Sequence, residues 1–171
     1  MSNLTLERLL EEDLRRVSEI HRVCFSSDSK MPGDSLIWLK SNLSAAPRFQ
    51  YYVAKKEDQI VGYILWMELG GFRNDAVLEL EQIGVSPGYR SQGVGTFLIQ
   101  ESLREYIRTV LVPQERKLKL VKITTGTENK AQELYKKTLG AEPECVIRDL
   151  FGSDELVMLA RYEQIKNKLT P

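Results

Sequence analysis

The sequence predicts a mixed α/β (α+β) fold, a single domain of about seven strands in a central sheet with about four helices. Three observations predict it. Apolar residues recur alternately at a spacing of two and of three to four, giving the order β-α-α-β-β-β-α-β-α-β-β. The second half reads strand, glycine-rich loop, helix, strand, helix, the pattern of adjacent parallel strands joined right-handedly. The 171 residues contain no repeat, low-complexity run or linker, and suit one core.

The elements follow in order. Leu4 to Arg8 alternates as a short strand, and Leu14, Val17, Ile20 and Cys24 fall at helical spacing. Phe25 to Gly33 reads as a polar loop closed by Pro32-Gly33, after which Asp34 or Ser35 caps a helix carrying Leu36, Ile37, Leu39 and Leu43 and ended by Pro47. Phe49–Lys55 and Gln59–Glu68 form a hairpin about the turn Lys56-Glu57-Asp58. Gly70-Gly71 and Asn74-Asp75 bound a loop, and Ala76–Val85 is a long strand broken by Pro87-Gly88. A long helix from Gly95 carries Leu98, Ile99, Leu103, Tyr106 and Val110. Then come a strand over Lys117–Thr124, a helix over Asn129–Leu139, and strands at about Cys145–Leu150 and Glu155–Tyr162, turning at Gly152-Ser153.

Composition excludes several classes. Hydrophobic residues at 42% and charged residues at 28% are an ordinary globular balance. Twenty-four basic residues cancel 24 acidic ones, without the surplus that nucleic-acid binding needs. The N-terminal residues lack the apolar stretch of a secretory signal, and Tyr63–Met67 is far too short to span a bilayer. Cys24, Cys145 and the single His21 show no metal-ligand spacing. The expectation is a cytoplasmic, metal-free protein with two buried thiols, no nucleic-acid partner and no membrane.

The most informative segment runs from Val85 to Ile99. A strand ends, glycines let backbone approach a ligand, and a helix begins whose first N–H groups point outward toward an anion. The helix dipole and Arg90 add positive charge. Ligands of such sheets bind beyond the carboxyl ends of the parallel strands, near Val85–Gly95 and Thr124–Asn129. A Walker A loop is absent, and the dinucleotide fingerprint fails because bulky Leu98 stands where a small residue is needed.

Arg90-Ser91-Gln92-Gly93-Val94-Gly95 resembles the Arg/Gln-x-x-Gly-x-Gly/Ala loop of the GNAT superfamily of acyl-CoA-dependent N-acetyltransferases. Ile83-Gly84-Val85-Ser86-Pro87, Phe97-Leu98-Ile99 and Val61-Gly62-Tyr63 are similar to that family's strands and helix, and the element order resembles it along nearly the whole chain. The resemblance implies helices on both faces of a twisted sheet and parallel strands splayed at a bulge. It implies acetyl-CoA as co-substrate, with its pyrophosphate held by Arg90, Ser91, Gln92, Gly93, Val94, Gly95 and Thr96. Ile83, Gly84 and Val85 would meet the pantetheine arm through main-chain groups left unpaired by the bulge, where an unmet hydrogen bond is costly. Glycine at 84 suits the close approach of another backbone.

Two carboxylates lie beside this loop. Val77, Glu79, Glu81, Ile83 and Val85 share a strand face, which puts Glu79 and Glu81 about 7 Å apart. Partial burial and the like-charge neighbour would raise a carboxylate pKa toward that of a general base, and both positions match places where the family carries one. Glu81 is preferred to Glu79. Thr127–Ala141 resembles the family's second cofactor segment, Asn-x-x-Ala-x-x-Leu-Tyr-x-x-x-Gly-Phe. Tyr135 takes the place of the general acid and Asn129 that of a cofactor contact. Asn129 stands one residue closer to Tyr135 than the family pattern, Gly140 one further, and Ala141 replaces the aromatic. Lys130, Lys136 and Lys137 read as solvated. His21 reads as a core or surface residue, and Cys145 as packing.

The implied reaction is direct attack of a primary amine, from a small molecule or a protein, on acetyl-CoA in a ternary complex. Alternatives are a non-catalytic acyl-CoA sensor or interaction module, and transfer from another acyl-CoA. Asp28, Asp34 and Asp154, with Lys30 and Phe151, lean toward a cationic amine in the loops that grip the acceptor in this family. Whether the chain forms a homodimer is open.

Overall fold

A computed structural model describes residues 3–25, 34–71 and 73–169. Its strands are β1 (Leu4–Arg8), β2 (Phe49–Lys56), β3 (Gln59–Leu69), β4 (Asp75–Val85), β5 (Lys117–Gly126), β6 (Glu142–Ile147) and β7 (Glu155–Arg161). Its helices are α1 (Leu14–Cys24), α2 (Asp34–Ser44), α3 (Val94–Tyr106), α4 (Ala131–Leu139) and α5 (Tyr162–Leu169). The strands form a seven-stranded sheet in the order β1-β2-β3-β4-β5-β7-β6, with β4 and β5 parallel. The predicted strand count, element order and parallel pair are all present.

The chain falls into two compact units, and β3, β4 and α3 each contribute residues to both. The first comprises residues 1–66 and 82–102. Its core is Leu14, Val17 and Ile20 of α1, Leu39 of α2, and Tyr51, Val53, Ile60, Tyr63 and Leu65 of β2 and β3. In α1 periodicity and burial agree, whereas of the residues that predict α2 Leu39 is buried and Leu43 partly so, while Leu36 and Ile37 are exposed. The β2–β3 turn takes Glu57 and Asp58 at φ +50° and +62°, the left-handed pair that a tight hairpin needs. Trp66 Nε1 donates to Ser102 Oγ at 2.8 Å inside this unit.

The second unit comprises residues 67–81 and 103–171. Its ladder of β4 on β5 runs from Asp75↔Lys117 to Leu80↔Ile123 and slips once, where Lys119 is the extra residue opposite Ala76/Val77. The slip shifts the buried phase of β5 from Leu118 to Val121, Ile123 and Thr125. A buried ion pair joins Arg116 to Glu68, whose other oxygen accepts from Tyr106 Oη at 2.7 Å. Glu68 holds the Arg116 guanidinium pKa above its ordinary value, chiefly by accepting a hydrogen bond from Arg116 Nη2.

Several sequence expectations are corrected. The last strand stops at Arg161 and a fifth helix follows, because Gln164 Oε1 reaches back to the Arg161 N–H at 2.7 Å and caps it, while Ile165 is buried. Strand β6 starts three residues earlier than expected. Gly140, at φ +68°, ends α4 abruptly, and β6 then pairs with β7 from Glu142, tolerating Pro143 through a register shift before Cys145. Cys145 therefore lies exposed on an edge strand rather than packed, Cys24 is half-buried, and both thiols are free. The polar loop closed by Pro32-Gly33, with Asp28 and Lys30, lies outside the described residues.

Replacing Glu68 by Ala strips Arg116 and Tyr106 of a shared buried partner, and is expected to cost about 3 kcal/mol. Urea unfolding of the variant at neutral pH measures it.

Candidate active site

The glycine loop begins where β4 ends. Ser86 N–H donates to Val61 O at 2.9 Å, and a single turn over Pro87–Tyr89 carries the chain to Arg90. Ser91 and Gly93 then take φ +60° and +84°. The first helical bond of α3 is Phe97 N–H to Gly93 O at 2.9 Å, so the amides of Val94, Gly95 and Thr96 precede it and are not consumed by the helix. Arg90–Gly93 is exposed. An αL residue followed by a helix start concentrates N–H groups on one side, a form suited to a phosphate-bearing ligand. A Cβ on Gly93 would meet no atom within 4 Å, so its positive φ, rather than crowding, requires glycine.

Arg90 folds back onto its own strand. Its Nε donates to Val85 O at 3.1 Å and its Nη2 to Cys24 Sγ at 3.4 Å, while the Cys24 thiol also donates to Val85 O at 3.5 Å. The side chain brings its charge to the loop already anchored. Gln92 Nε2 donates to Gly88 O at 2.8 Å and ties the loop to the preceding turn.

Gly84 also has a packing reason that the sequence does not show. A Cβ there would lie 2.6 Å from Tyr63 Cε1, so an aromatic ring requires the glycine. The close backbone approach exists, but Gly62 permits it: its Cβ would sit 2.9 Å from Gly84 O. Sequence reading also missed the partners of His21. This ring is 8% exposed, with Nδ1 2.9 Å from Ser35 Oγ, Nε2 3.4 Å from Gln82 Nε2, and a stacking contact on Phe25 at 4.9 Å. A lone histidine on an amphipathic helix carried no signal of the strand it meets.

In the second unit, Glu79 is 7% exposed and its Oε1 accepts from Lys122 Nζ at 2.8 Å and from Thr124 Oγ1 at 3.1 Å. Lys122 is its cross-strand partner in the ladder. Glu81, half-buried, lies just past the last rung, and its pKa is raised, first by burial and then by the Glu79 charge, with Lys122 opposing. Lys122 and Thr124 were missed because pairing register cannot be read before the Lys119 slip is known.

Tyr135 lies on the inward face of α4 at 5% exposure, and burial pushes its phenol pKa up to about 12. Its hydroxyl makes no hydrogen bond among the described residues, yet it is not a sealed-in unsatisfied atom. Asn129 precedes α4 rather than opening it. Its Oδ1 accepts from the Ala131 N–H and its Nδ2 donates to Thr125 Oγ1, both at 2.9 Å, so its side chain builds the β5–α4 turn. Asp154 is likewise engaged, its Oδ1 accepting from the Asp149 N–H at 3.1 Å. Phe151, at the β6–β7 turn, is 78% exposed.

The family model for the acetyltransferase (GNAT) family matches residues 14–141, which span the glycine loop, both carboxylates and Tyr135. The chain belongs to the GNAT acetyltransferase family. No curated protein sequence matches it. Solved GNAT-fold structures do. A chimera of the spermidine N-acetyltransferase SpeG from Vibrio cholerae and hSSAT matches at 18% identity and TM-score 0.76, covering 97% of this chain and 99% of that one. The ribosomal-protein-alanine N-acetyltransferase of Brucella melitensis matches at 20% identity and TM-score 0.68, over 92% and 99%. The ribosomal-protein-S18-alanine N-acetyltransferase of Escherichia coli matches at 17% and 0.69, over 92% and 93%. At these identities the likeness concerns the fold. Among the described residues of this GNAT chain no cluster of His, Cys, Asp and Glu could hold a metal, and no helix is long and apolar enough to cross a membrane.

The raised carboxyl of Glu81 has a thermodynamic consequence. Its folded pKa exceeds its unfolded value, so the unfolded state releases the proton first and stability falls as pH rises through that interval. Glu81→Gln is therefore expected to melt higher than the parent at pH 7. The gap should close as pH falls below the ordinary glutamate value, and thermal melts at stepped pH read it.

Proposed function

We propose that this GNAT member transfers an acetyl group from acetyl-CoA to a primary amine, by direct attack in a ternary complex, and that the 1–171 chain is one catalytic domain. The observation that carries the reading is the loop between β4 and α3. Its left-handed Ser91 and Gly93, its exposed backbone and the helix-start amides of Val94–Thr96 fit a diphosphate, with Arg90 beside them. Bound there, acetyl-CoA supplies the activated acyl carbon and a thiolate leaving group.

The chain's own groups divide the remaining work. Backbone amides within Ile83–Val85, beyond the last rung to β5, orient and polarise the thioester carbonyl. Glu81 Oε takes a proton from the acceptor ammonium or amine. Its raised pKa brings it nearer neutrality and makes it a better base than an ordinary surface carboxylate. Glu79 is the weaker candidate because Lys122 and Thr124 already share its Oε1. Tyr135 Oη keeps its proton at every physiological pH and donates it to the sulfur as negative charge builds there. Asn129, whose amide builds the turn before α4, supports the cofactor segment through that turn. Positioning supplies most of the rate, since amines attack thioesters readily once aligned.

The acceptor class is a primary amine of a small molecule or of a protein, whether a lysine side chain or an N-terminus. Solved structures of this fold include enzymes named for spermidine and for a ribosomal-protein alanine. Asp154 keeps its place in the predicted cation-binding set: it is exposed, and only its Oδ1 is engaged, by the Asp149 N–H.

Calorimetric titration with coenzyme A tests the cradle, and Gly93→Val is expected to abolish the binding heat by forcing φ out of the left-handed region. Retained binding would assign the loop another task. Tyr135→Phe is expected to lower kcat about 10²-fold with CoA affinity unchanged. Equal loss of both would remove its role as acid. Free-thiol release with a panel of polyamines, aminoglycosides and peptide N-termini identifies the acceptor; binding without release would leave a sensor.

A further inference from the structure

Strand β4 has a mechanical problem. Its rungs to β5 stop at Leu80↔Ile123, yet it continues to Val85, and those last residues are the ones proposed to meet the thioester. A strand losing a neighbour on one side becomes more open to fraying unless something else holds it.

We infer that His21 is a positioning residue: through Gln82 it fixes the end of β4 beyond the last β5 rung. The last turn of α1 reaches β4 at two points three residues apart. Cys24 takes Val85 O, and His21 takes the Gln82 side chain. His21 and Cys24 are i and i+3, on one side of the helix. The hydrogen bonds are consistent in direction. Tyr63 Oη donates to Gln82 Oε1 at 3.4 Å, so the Gln82 amide nitrogen donates to His21 Nε2, and the imidazole proton sits on Nδ1 facing Ser35 Oγ. A neutral ring in this tautomer links β3, β4, α1 and the first turn of α2. Tyr63 contributes twice, since its ring also packs where a side chain at Gly84 would be.

A role in packing alone does not account for this arrangement. An apolar side chain stacked on Phe25 would fill the same space without desolvating an imidazole, an amide and two hydroxyls. The polar chain converges on Gln82, which lies between the proposed base Glu81 and the proposed carbonyl-binding segment Ile83–Val85. Its catalytic consequence rests on the acyl-transfer reading. Its structural consequence does not, and is measurable in the ligand-free protein.

The test compares His21→Asn, which reaches only toward Ser35, with His21→Gln, which can still accept from Gln82, and with Gln82→Met. Amide hydrogen exchange across residues 82–85 is expected to be about tenfold faster in His21→Asn and Gln82→Met, and near the parent rate in His21→Gln. With acetyl-CoA and an accepted amine, kcat should fall about tenfold in the first and third variants, and calorimetric CoA affinity should fall much less, because the glycine loop proposed to hold the diphosphate is untouched. Unchanged exchange in folded His21→Asn, failure of His21→Gln to restore it, or parallel loss of kcat and affinity would each overturn the inference. If Gln82→Met does not fold, the two His21 variants still decide. Absence of CoA binding by the parent protein would sink the acyl-transfer reading and leave the exchange result standing.

Discussion

The arrangement depends on one constraint: β4 continues to Val85 after its last rung to its parallel partner at Leu80↔Ile123. Main-chain donors and acceptors released at the end of a ladder are costly when buried, and useful only if they hold still for a ligand. The chain meets this with side chains rather than with another strand. Val85 O receives bonds from Cys24 and Arg90, Gln82 is held by Tyr63 and His21, and the Gly62–Gly84 approach keeps β3 tight against β4. Two glycines that look interchangeable in the sequence thus do different jobs, one admitting a carbonyl and the other an aromatic ring.

Electrostatics then separates two carboxylates of identical chemistry. Glu79 lies opposite Lys122 and is held there by a short ion pair and a threonine hydroxyl. Glu81 sits two residues on, past the rung that could have supplied such a partner, and feels burial and the Glu79 charge. The end of the β-ladder therefore separates a glutamate with a cross-strand lysine partner from one whose carboxyl pKa is raised by burial and by its neighbour's charge. Burial acts on Tyr135 in the same direction, raising its phenol pKa to about 12 so that it keeps its proton.

Much of this was legible beforehand. The strand–glycine loop–helix unit follows from local backbone rules, and its φ values fall where Gly93 permits them. The inward position of Tyr135 follows from helical spacing alone. Elements set by competition between neighbours were not legible. Helix α5 depends on a cap from Gln164, the start of β6 depends on pairing with β7, and the exposure of Cys145 depends on β6 being the edge of the sheet.

The sequence by itself determined the order of the seven strands and the first four helices, the glycine turn before α3, and the family, because each is a local pattern of period, turn or motif. Tertiary structure alone decided the partners: Lys122 for Glu79, Gln82 for His21, Cys24 for Arg90. Those pairs lie 43, 61 and 66 positions apart, and only the register of packed strands and helices brings such residues within a hydrogen bond's reach.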